Sequence, residues 1–313
     1  MTIEKVTIAI LCATRRGYQV LNKLAEIEPN AQLVVLSFKE EPWEPPFFND
    51  IRQLAECSHA QFLEAKQVGS PRYASFWDSL SIDLMMTVNW RYMIPPSIYR
   101  RARLGTFVFH DSLLPAYRGF SPTVWAMLNG EDHTGVTLFE IAEDVDTGPI
   151  VDQNLIPIGS EDTIAEVTER VTNAYLDLLE KNLPGLLSGT ADRTLQDHSK
   201  ATFTCKRLPE DNLINWFAPS AAIYNLIRAV TFPYPGAFTY LNGRLLRVWT
   251  AQKLDYPRYV GAIPGRVVQV IPDQGTVVLT GDGALLIKRV QYDGEDAVCA
   301  NTVLNSLSQT LGI

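Results

Sequence analysis

The densest group of residues able to do chemistry lies between Gly105 and Ile150. His110 ends the apolar run Thr106-Phe107-Val108-Phe109 and is followed by Asp111-Ser112-Leu113-Leu114-Pro115-Ala116-Tyr117-Arg118-Gly119. Further on, Asp144 and Asp146 stand two apart, ahead of Gly148. A histidine at the carboxyl end of a strand sits where parallel sheets open into ligand sites. An imidazole beside a carboxylate can hold and pass a proton near neutral pH. The same residues would also serve as a hydrogen-bonded structural histidine and a pair of turn-capping aspartates. By themselves these features leave both readings open.

Arg15 and Arg16 follow the first strand-like run, where a helix would begin. Helix amides together with guanidinium groups favour a phosphate or carboxylate at such a place, although a solvated pair of surface charges fits equally. No G-x-G-x-x-G follows that strand, so a dinucleotide reading is rejected. His59, His133 and His198 are isolated, and no His/Cys/Asp cluster has metal-ligand spacing.

These residues need a scaffold, and the pattern of the chain supplies one. Val6–Leu11, Leu33–Phe38, Ile82–Val88 and Thr106–His110 read as strands. Between them lie helical patterns over Tyr18–Ile27 and around Ile51, Leu54 and Ala55, with a Pro-rich loop at Glu41–Pro46. Such alternation predicts right-handed crossovers and a mostly parallel, doubly wound α/β sheet. A helix near Pro122–Leu128 and strands at Thr134–Ile141 and Pro149–Asn154 follow. A long helix then starts near Thr163, whose spacing to Glu166 is that of a capping box, and is expected to stop at Pro184-Gly185. Its buried face is read from Ile164, Val167, Val171, Ala174 and Leu178. Residues 191–205 are polar and irregular and read as a linker between a catalytic domain over 1–190 and a small β-barrel domain over 206–313. In that last part, helical Ile223–Val230 precedes short strands at Ala237–Leu241, Leu245–Thr250, Gly265–Val270, Thr276–Leu279 and Ala284–Arg289.

Composition narrows the partners. The chain has 313 residues, a formal net charge of −8 and a charged fraction of 20%. Residues 201–313 hold ten Lys/Arg against eight Asp/Glu, so no basic domain hides behind the average. This argues against nucleic acid as the main partner. Cys12, Cys57, Cys205 and Cys299 form no C-x-x-C pair, which suits a reducing cytoplasm. Met1-Thr2-Ile3-Glu4-Lys5 leads straight into the first strand, with no cleavable signal and no bilayer-spanning run, so no membrane partner is expected.

The segment 105–150 resembles the folate-dependent formyltransferase family, which includes glycinamide ribonucleotide, methionyl-tRNA and amino-sugar formyltransferases. The resemblance rests on His110 with Ser112-Leu113-Leu114-Pro115, then Arg118-Gly119, Gly135-Val136-Thr137 and Asp146-x-Gly148. The tail resembles the second domain of the methionyl-tRNA and amino-sugar branches through Asn225-Leu226-Ile227-Arg228-Ala229, Tyr234-Pro235-Gly236-Ala237-Phe238 and Val248-Trp249. The resemblance implies attack of an amine on the formyl carbon of 10-formyltetrahydrofolate, with no metal. It implies an oxyanion held by His110, and Asp146 orienting that ring and helping to move the amine proton. The family's catalytic asparagine falls on Val108, which shares a strand face with His110 yet offers no hydrogen bond. Asn89, Thr106 and Ser112 are the substitute donors considered. The family pattern places folate against Arg91, Tyr92, Met93 and Ile94, and against Ile141, Glu143, Asp144 and Val145. Ser112, Tyr117, Arg118, Arg15 and Arg16 are the candidate substrate contacts.

The expected function is N-formylation of a small-molecule amine. A nucleotide-linked amino sugar is the first choice, because Tyr117-Arg118-Gly119, Pro122, Trp125 and Asn129-Gly130-Glu131 resemble the sugar branch. Hydroxyornithine and methionyl-tRNA are alternative acceptors, and Val108 motivates the rival expectation of a folate-binding protein with an inactive site. A homodimer is the expectation from size alone.

Overall fold

The structure, a computed structural model, describes residues 5–41 and 44–312. The reading of residues 1–4 as a lead into the first strand, and residues 42–43 of the Pro-rich loop, lie outside the described residues. The chain divides into two compact units. The first contains residues up to Gly119, Gly135–Ile156 and Arg170–Phe203; the second contains Phe120–Thr134, Pro157–Glu169 and the chain from Thr204 onward.

The first unit opens with β1 (Thr7–Cys12), α1 (Thr14–Ile27), β2 (Gln32–Ser37), α2 (Phe48–Cys57), β3 (Gln61–Glu64), α3 (Ala74–Asp78), β4 (Leu84–Val88), α4 (Pro96–Tyr99) and β5 (Thr106–His110). The chain continues through β6 (Arg118–Gly119), α5 (Pro122–Asn129), β7 (His133–Glu140), β8 (Ile150–Pro157) and α6 (Ile164–Ser188). The main sheet has the order β3-β2-β1-β4-β5-β7-β8. Pairings from β3 through β5 are parallel, and β5 pairs antiparallel with β7. Every residue of β1 and β4 is buried, as strands covered on both faces require. The chain runs from β1 outward to β2 and then returns to β4 on the other side. The carboxyl ends of β1, β4 and β5 therefore border a topological switch point, the usual place for a ligand crevice.

Three details differ from the sequence expectation. Helix α1 starts at Thr14 rather than Tyr18, so Arg15 and Arg16 occupy its first turn. Strand β3 and helix α3 fall in a stretch whose apolar residues are too few to show a period; there Trp77 is buried and its indole donates to the Val68 carbonyl at 2.8 Å. Helix α6 runs through Pro184 and ends at Ser188. The terminator is Gly189, at φ 72°, followed by the paired bonds Gly189 N to Leu186 O at 3.2 Å and Thr190 N to Gly185 O at 2.9 Å. That bond pair is the Schellman motif. A proline in the last turn removes only one helical bond, so the helix outlasts it. The apolar face read from the sequence is buried as expected.

The second unit is built on an antiparallel sheet. Beyond β9 (Phe203–Thr204) come α7 (Ser220–Val230), β10 (Ala237–Leu241), β11 (Arg244–Lys253), β12 (Val267–Ile271), β13 (Gly275–Leu279), β14 (Ala284–Tyr292), β15 (Val298–Cys299) and α8 (Ala300–Val303). The order is β10-β11-β14-β13-β12, with β15 on β14. This is the small C-terminal β domain expected from the sequence; among the described residues the pairings do not record a closed ring. Helix α5 packs on α7. Trp125 is held there by its indole bond to the Cys205 carbonyl at 2.9 Å and by the Arg207 guanidinium 5.2 Å above its ring. The Thr163 amide donates to Glu166 at 2.7 Å, which completes the anticipated cap of α6. No helix among the described residues is long and apolar enough to cross a membrane.

Gly189→Ala places a side chain in the left-handed region and should lower the unfolding free energy by about 1 kcal/mol. Urea denaturation checks this; an unchanged midpoint would mean that α6 does not depend on that terminator.

Candidate active site

His110 closes β5 and is almost fully buried. Its Nε2 lies 2.9 Å from the Tyr117 carbonyl. A carbonyl only accepts, so Nε2 carries a hydrogen. Nδ1 faces Asp146 Oδ2 at 3.7 Å, too far for a hydrogen bond. The Asp146 carboxylate is itself held, because Oδ2 accepts from the Gly119 amide at 2.8 Å.

The spacing Asp146-x-Gly148 has a local cause. Asp146 turns the chain at φ 56°. Two residues later, a Cβ on Gly148 would lie 1.7 Å from the Glu140 carbonyl oxygen. Only glycine lets the backbone pass there.

The loop from Ser112 to Gly119 is bound down from below. Thr137, opposite His110 in the β5–β7 register, donates from Oγ1 to the Ser112 carbonyl at 2.6 Å and accepts from the Leu114 amide at 3.0 Å. Gln153 on β8 donates to the Leu114 carbonyl at 2.9 Å and to Thr137 Oγ1 at 2.8 Å. Ser112, a candidate substrate contact, is buried and donates to the Ala116 carbonyl at 2.6 Å, so it shapes the loop. Tyr117 presents its carbonyl to His110, and its amide donates to Thr202 Oγ1 at 2.8 Å.

Arg118, also a candidate substrate contact, is buried. It is 3% exposed and donates to Gln196 Oε1 at 2.5 Å and to His198 Nδ1 at 3.0 Å. Gln196 then donates to the carbonyls of Asp146 at 2.9 Å and Gly148 at 2.7 Å. Arg118 thus holds the Asp146 turn through one intermediary. Gln196 and His198 lie in the stretch read as a linker. Its irregular backbone is satisfied by cross-links such as the paired Ile150–Thr194 amide bonds, which ordinary sequence patterns do not reveal.

Arg15 and Arg16 do not form a surface pair. Arg15 is exposed, whereas Arg16 is buried. Arg16 Nη1 donates to both oxygens of Asp111, at 2.8 and 2.7 Å, and to Asn89 Oδ1 at 3.2 Å. Its Nε donates to Thr172 Oγ1 at 3.2 Å. The Tyr175 hydroxyl donates to the same Asp111 carboxylate. Burial pushes the Asp111 carboxyl up, but the Arg16 cation and the Tyr175 and Arg16 hydrogen bonds outweigh it and hold the group below the ordinary aspartate range. Burial and the Asp111 anion push the Tyr175 hydroxyl well up, so it stays a donor. Asp111 and Tyr175 were missed by the sequence reading. A polar residue directly after the strand-ending histidine, matched by an arginine in the first helix, was the only signal.

Val108 is half-buried, on the His110 side of β5. Two substitute donors are already engaged: the Thr106 hydroxyl donates to the Tyr99 carbonyl at 2.7 Å, and Ser112 is committed as above. Asn89 follows β4, whose Thr87 pairs with Val108; it donates one hydrogen to Thr14 Oγ1 at 2.9 Å and has a second to offer.

The expected folate residues fall into two kinds. Ile94 is buried in a core cluster against which Ile141 also packs, so the turn after β4 and the loop after β7 meet on common ground. Met93 and Val145, on the same two connections, are 71% and 53% exposed. Tyr92 packs edge-on to Phe38 at 5.0 Å, and Arg91 is held by Glu44 at 2.7 Å. Glu143 and Asp144 are exposed. Among the described residues no group of side chains is arranged to hold a metal ion.

Residues 6–182 match the formyl transferase family, and residues 207–308 match the formyl transferase C-terminal domain. The chain belongs to the formyl transferase family. It is a formyl-transferring enzyme. Among solved structures it is similar to WlaRD, a sugar 3N-formyltransferase crystallised with dTDP and 5-N-formyl-THF, at 18% identity and a TM-score of 0.67, over 94% of this chain and 100% of that one. It is similar to an N-formyltransferase from Helicobacter canadensis in complex with folinic acid and dTDP-3-aminofucose, at 19% identity and a TM-score of 0.67, over 92% and 99% of the two chains. It also resembles HypX from Aquifex aeolicus in complex with tetrahydrofolic acid, at 18% identity and a TM-score of 0.61; 95% of this chain matches, but it spans only 46% of HypX.

The Asp111 pair makes this formyltransferase acid-sensitive. Its folded-state value lies below the unfolded one, so its stabilisation is complete above about pH 4 and is lost as pH falls through the depressed value. Asp111→Asn should destabilise by about 3 kcal/mol at pH 7, because it leaves Arg16 buried without its counter-charge. Urea unfolding should show wild type and variant converging at acid pH; a pH-independent gap would refute the linkage.

Proposed function

We propose that this formyltransferase moves a formyl group from 10-formyltetrahydrofolate to the amine of a nucleotide-linked amino sugar, with His110 and Asp146 as its catalytic pair. One observation carries the reading: a buried imidazole whose Nε2–H points into the Tyr117–Gly119 loop and whose Nδ1 faces a carboxylate fixed by a backbone amide. The amine lone pair attacks the formyl carbon, and the carbonyl π pair moves to oxygen. His110 Nε2–H leaves the Tyr117 carbonyl and donates to that oxyanion, as bonds in unliganded sites often rearrange on binding. The amine gives up one proton, which Asp146 helps His110 to take. The bond from carbon to N10 then breaks, its electron pair stays on N10, and N10 receives one proton. The products are the formamide and tetrahydrofolate.

The open apolar residues Met93 and Val145, flanking Ile94 and Ile141, suit one face of a flat heterocycle. The folate and dTDP-sugar ligands of two similar enzymes support the choice of substrates. The formal net charge of −8 favours a small acceptor over a tRNA. Four free cysteines support a reducing, cytoplasmic setting. Val108 supplies no donor, and losing one oxyanion donor usually lowers kcat by roughly 10²–10³. Asn89 is the group we assign to that gap.

Release of tetrahydrofolate from 10-formyltetrahydrofolate, measured with nucleotide amino sugars, hydroxyornithine and charged initiator tRNA, tests this. Turnover is expected with an amino sugar, with His110→Ala lowering kcat by roughly 10²–10³ and Val108→Asn raising it. Turnover with tRNA alone would overturn the acceptor. Folate binding without turnover on any amine would overturn the catalytic assignment.

A further inference from the structure

His110 is flanked in sequence by two residues that one side chain holds. The Tyr175 ring stacks on Phe109 with centroids 4.8 Å apart, and its hydroxyl lies 3.3 Å from the Phe109 carbonyl while donating to Asp111. The Arg16 guanidinium lies 4.7 Å from the centre of the same ring and binds both Asp111 oxygens. Arg16 is steadied in turn by Asn89 and by Thr172. Helix α1, the end of β4 and helix α6 thus converge on the residue after His110. Nothing in the chemistry of formyl transfer requires a buried arginine, an aspartate and a tyrosine at that place.

We propose that Arg16, Asp111 and Tyr175 form a charge-balanced clamp that positions His110 and sets the pH range in which its ring works, an inference that rests on the assignment of the transfer step to His110. The ring faces Asp146 across 3.7 Å, and the Asp111 carboxylate begins at the next residue in the chain. The Asp146 carboxylate thus faces the ring, Asp111 adjoins it in the chain, and Arg16 from α1 pairs with Asp111. Arg15, Glu143 and Asp144 are exposed, and Arg118 is directed to Gln196 and His198. From α6 the clamp receives the neutral Tyr175 hydroxyl and Thr172. The three clamp residues are positioning residues; none is assigned a contact with substrate.

The clamp makes the two charged partners act in opposite directions. Arg16→Gln leaves both carboxylates uncancelled and should move the acid limb of the kcat profile up by about 1 pH unit. Asp111→Asn leaves the guanidinium uncancelled and should move that limb down by a similar amount. Each should lower kcat about tenfold, through misplacement of the ring, with KM within about twofold. Tyr175→Phe keeps the stacking and every charge, so kcat should fall without a shift of the limb. Arg16→Lys should restore the limb but not the full kcat, because an ammonium cannot bind Asp111 through one nitrogen and Thr172 through another as the guanidinium does.

The deciding experiment pairs these profiles with NMR titration of the imidazole that disappears in His110→Ala. Opposite displacements of that titration in Arg16→Gln and Asp111→Asn, returning to the wild-type position in the double variant, are expected. The double variant also guards against misfolding, since it leaves neither charge buried alone. Displacement in the same direction, or none, would overturn the clamp. If the displacements are opposite but His110→Ala keeps full turnover, the clamp stands and the transfer assignment falls. If His110→Ala abolishes turnover while neither charge variant moves the titration, the assignment stands and the clamp falls.

Discussion

The antiparallel pairing of β5 with β7 governs the site. It brings Thr137 opposite His110 at the point where β5 stops. A strand ending beside a further parallel neighbour would leave its next residues to wander. Here the Thr137 hydroxyl takes the Leu114 amide and gives its own proton to the Ser112 carbonyl, so the chain is turned back within a few residues of His110. The returning loop then delivers the Tyr117 carbonyl to Nε2 and the Gly119 amide to Asp146. Buried backbone groups must find partners, and this loop satisfies them with the same bonds that hold His110 and Asp146.

That arrangement stores conformational strain. Thr14, Asn89, Tyr117 and Asp146 all have positive φ, at 65°, 53°, 59° and 56°. None is glycine, and one is β-branched. Each such residue costs about 1 kcal/mol or more and persists only where its surroundings over-determine it. The surroundings do so here: Thr14 and Asn89 bond to each other, and Tyr117 and Asp146 are tied to His110, Thr202 and Gln196. Thr14, Asn89 and Tyr117 follow β1, β4 and β5, whose carboxyl ends form the sheet end where a site is expected, and Asp146 lies on the loop after β7.

Electrostatics are arranged in the same economical way. His110 has one carboxylate facing its ring and another beside it in sequence, and only the second is matched by a buried guanidinium. A buried charge without compensation would neutralise itself by shifting its pKa. Asp111 stays anionic because Arg16 and Tyr175 saturate its oxygens. The apolar Val108 lies on the His110 side of β5 and offers no side-chain hydrogen bond.

Some of this is decided by sequence alone. Unbroken apolar runs are buried on both faces wherever they occur, so β1, β2, β4 and β5 were legible, and the three-and-four repeat of Ile164, Val167, Val171, Ala174 and Leu178 marked the buried face of α6. The glycine of the Asp-x-Gly turn answers a close backbone approach, whereas His110 and Asp146 stood out through their resemblance to the formyltransferase family. The end of α6 was not legible, because a proline in a last turn and a glycine beyond it give competing stop signals of similar weight. The roles of Arg16, Arg118 and Gln196 were not legible either, since their partners lie 95, 78 and 50 residues away. A charged side chain reads the same in sequence whether it faces solvent or a buried counter-charge. Only the order in which the strands are laid into the sheet determines which of those distant groups meet, and that order is settled by the packing of the whole unit rather than by any segment within it.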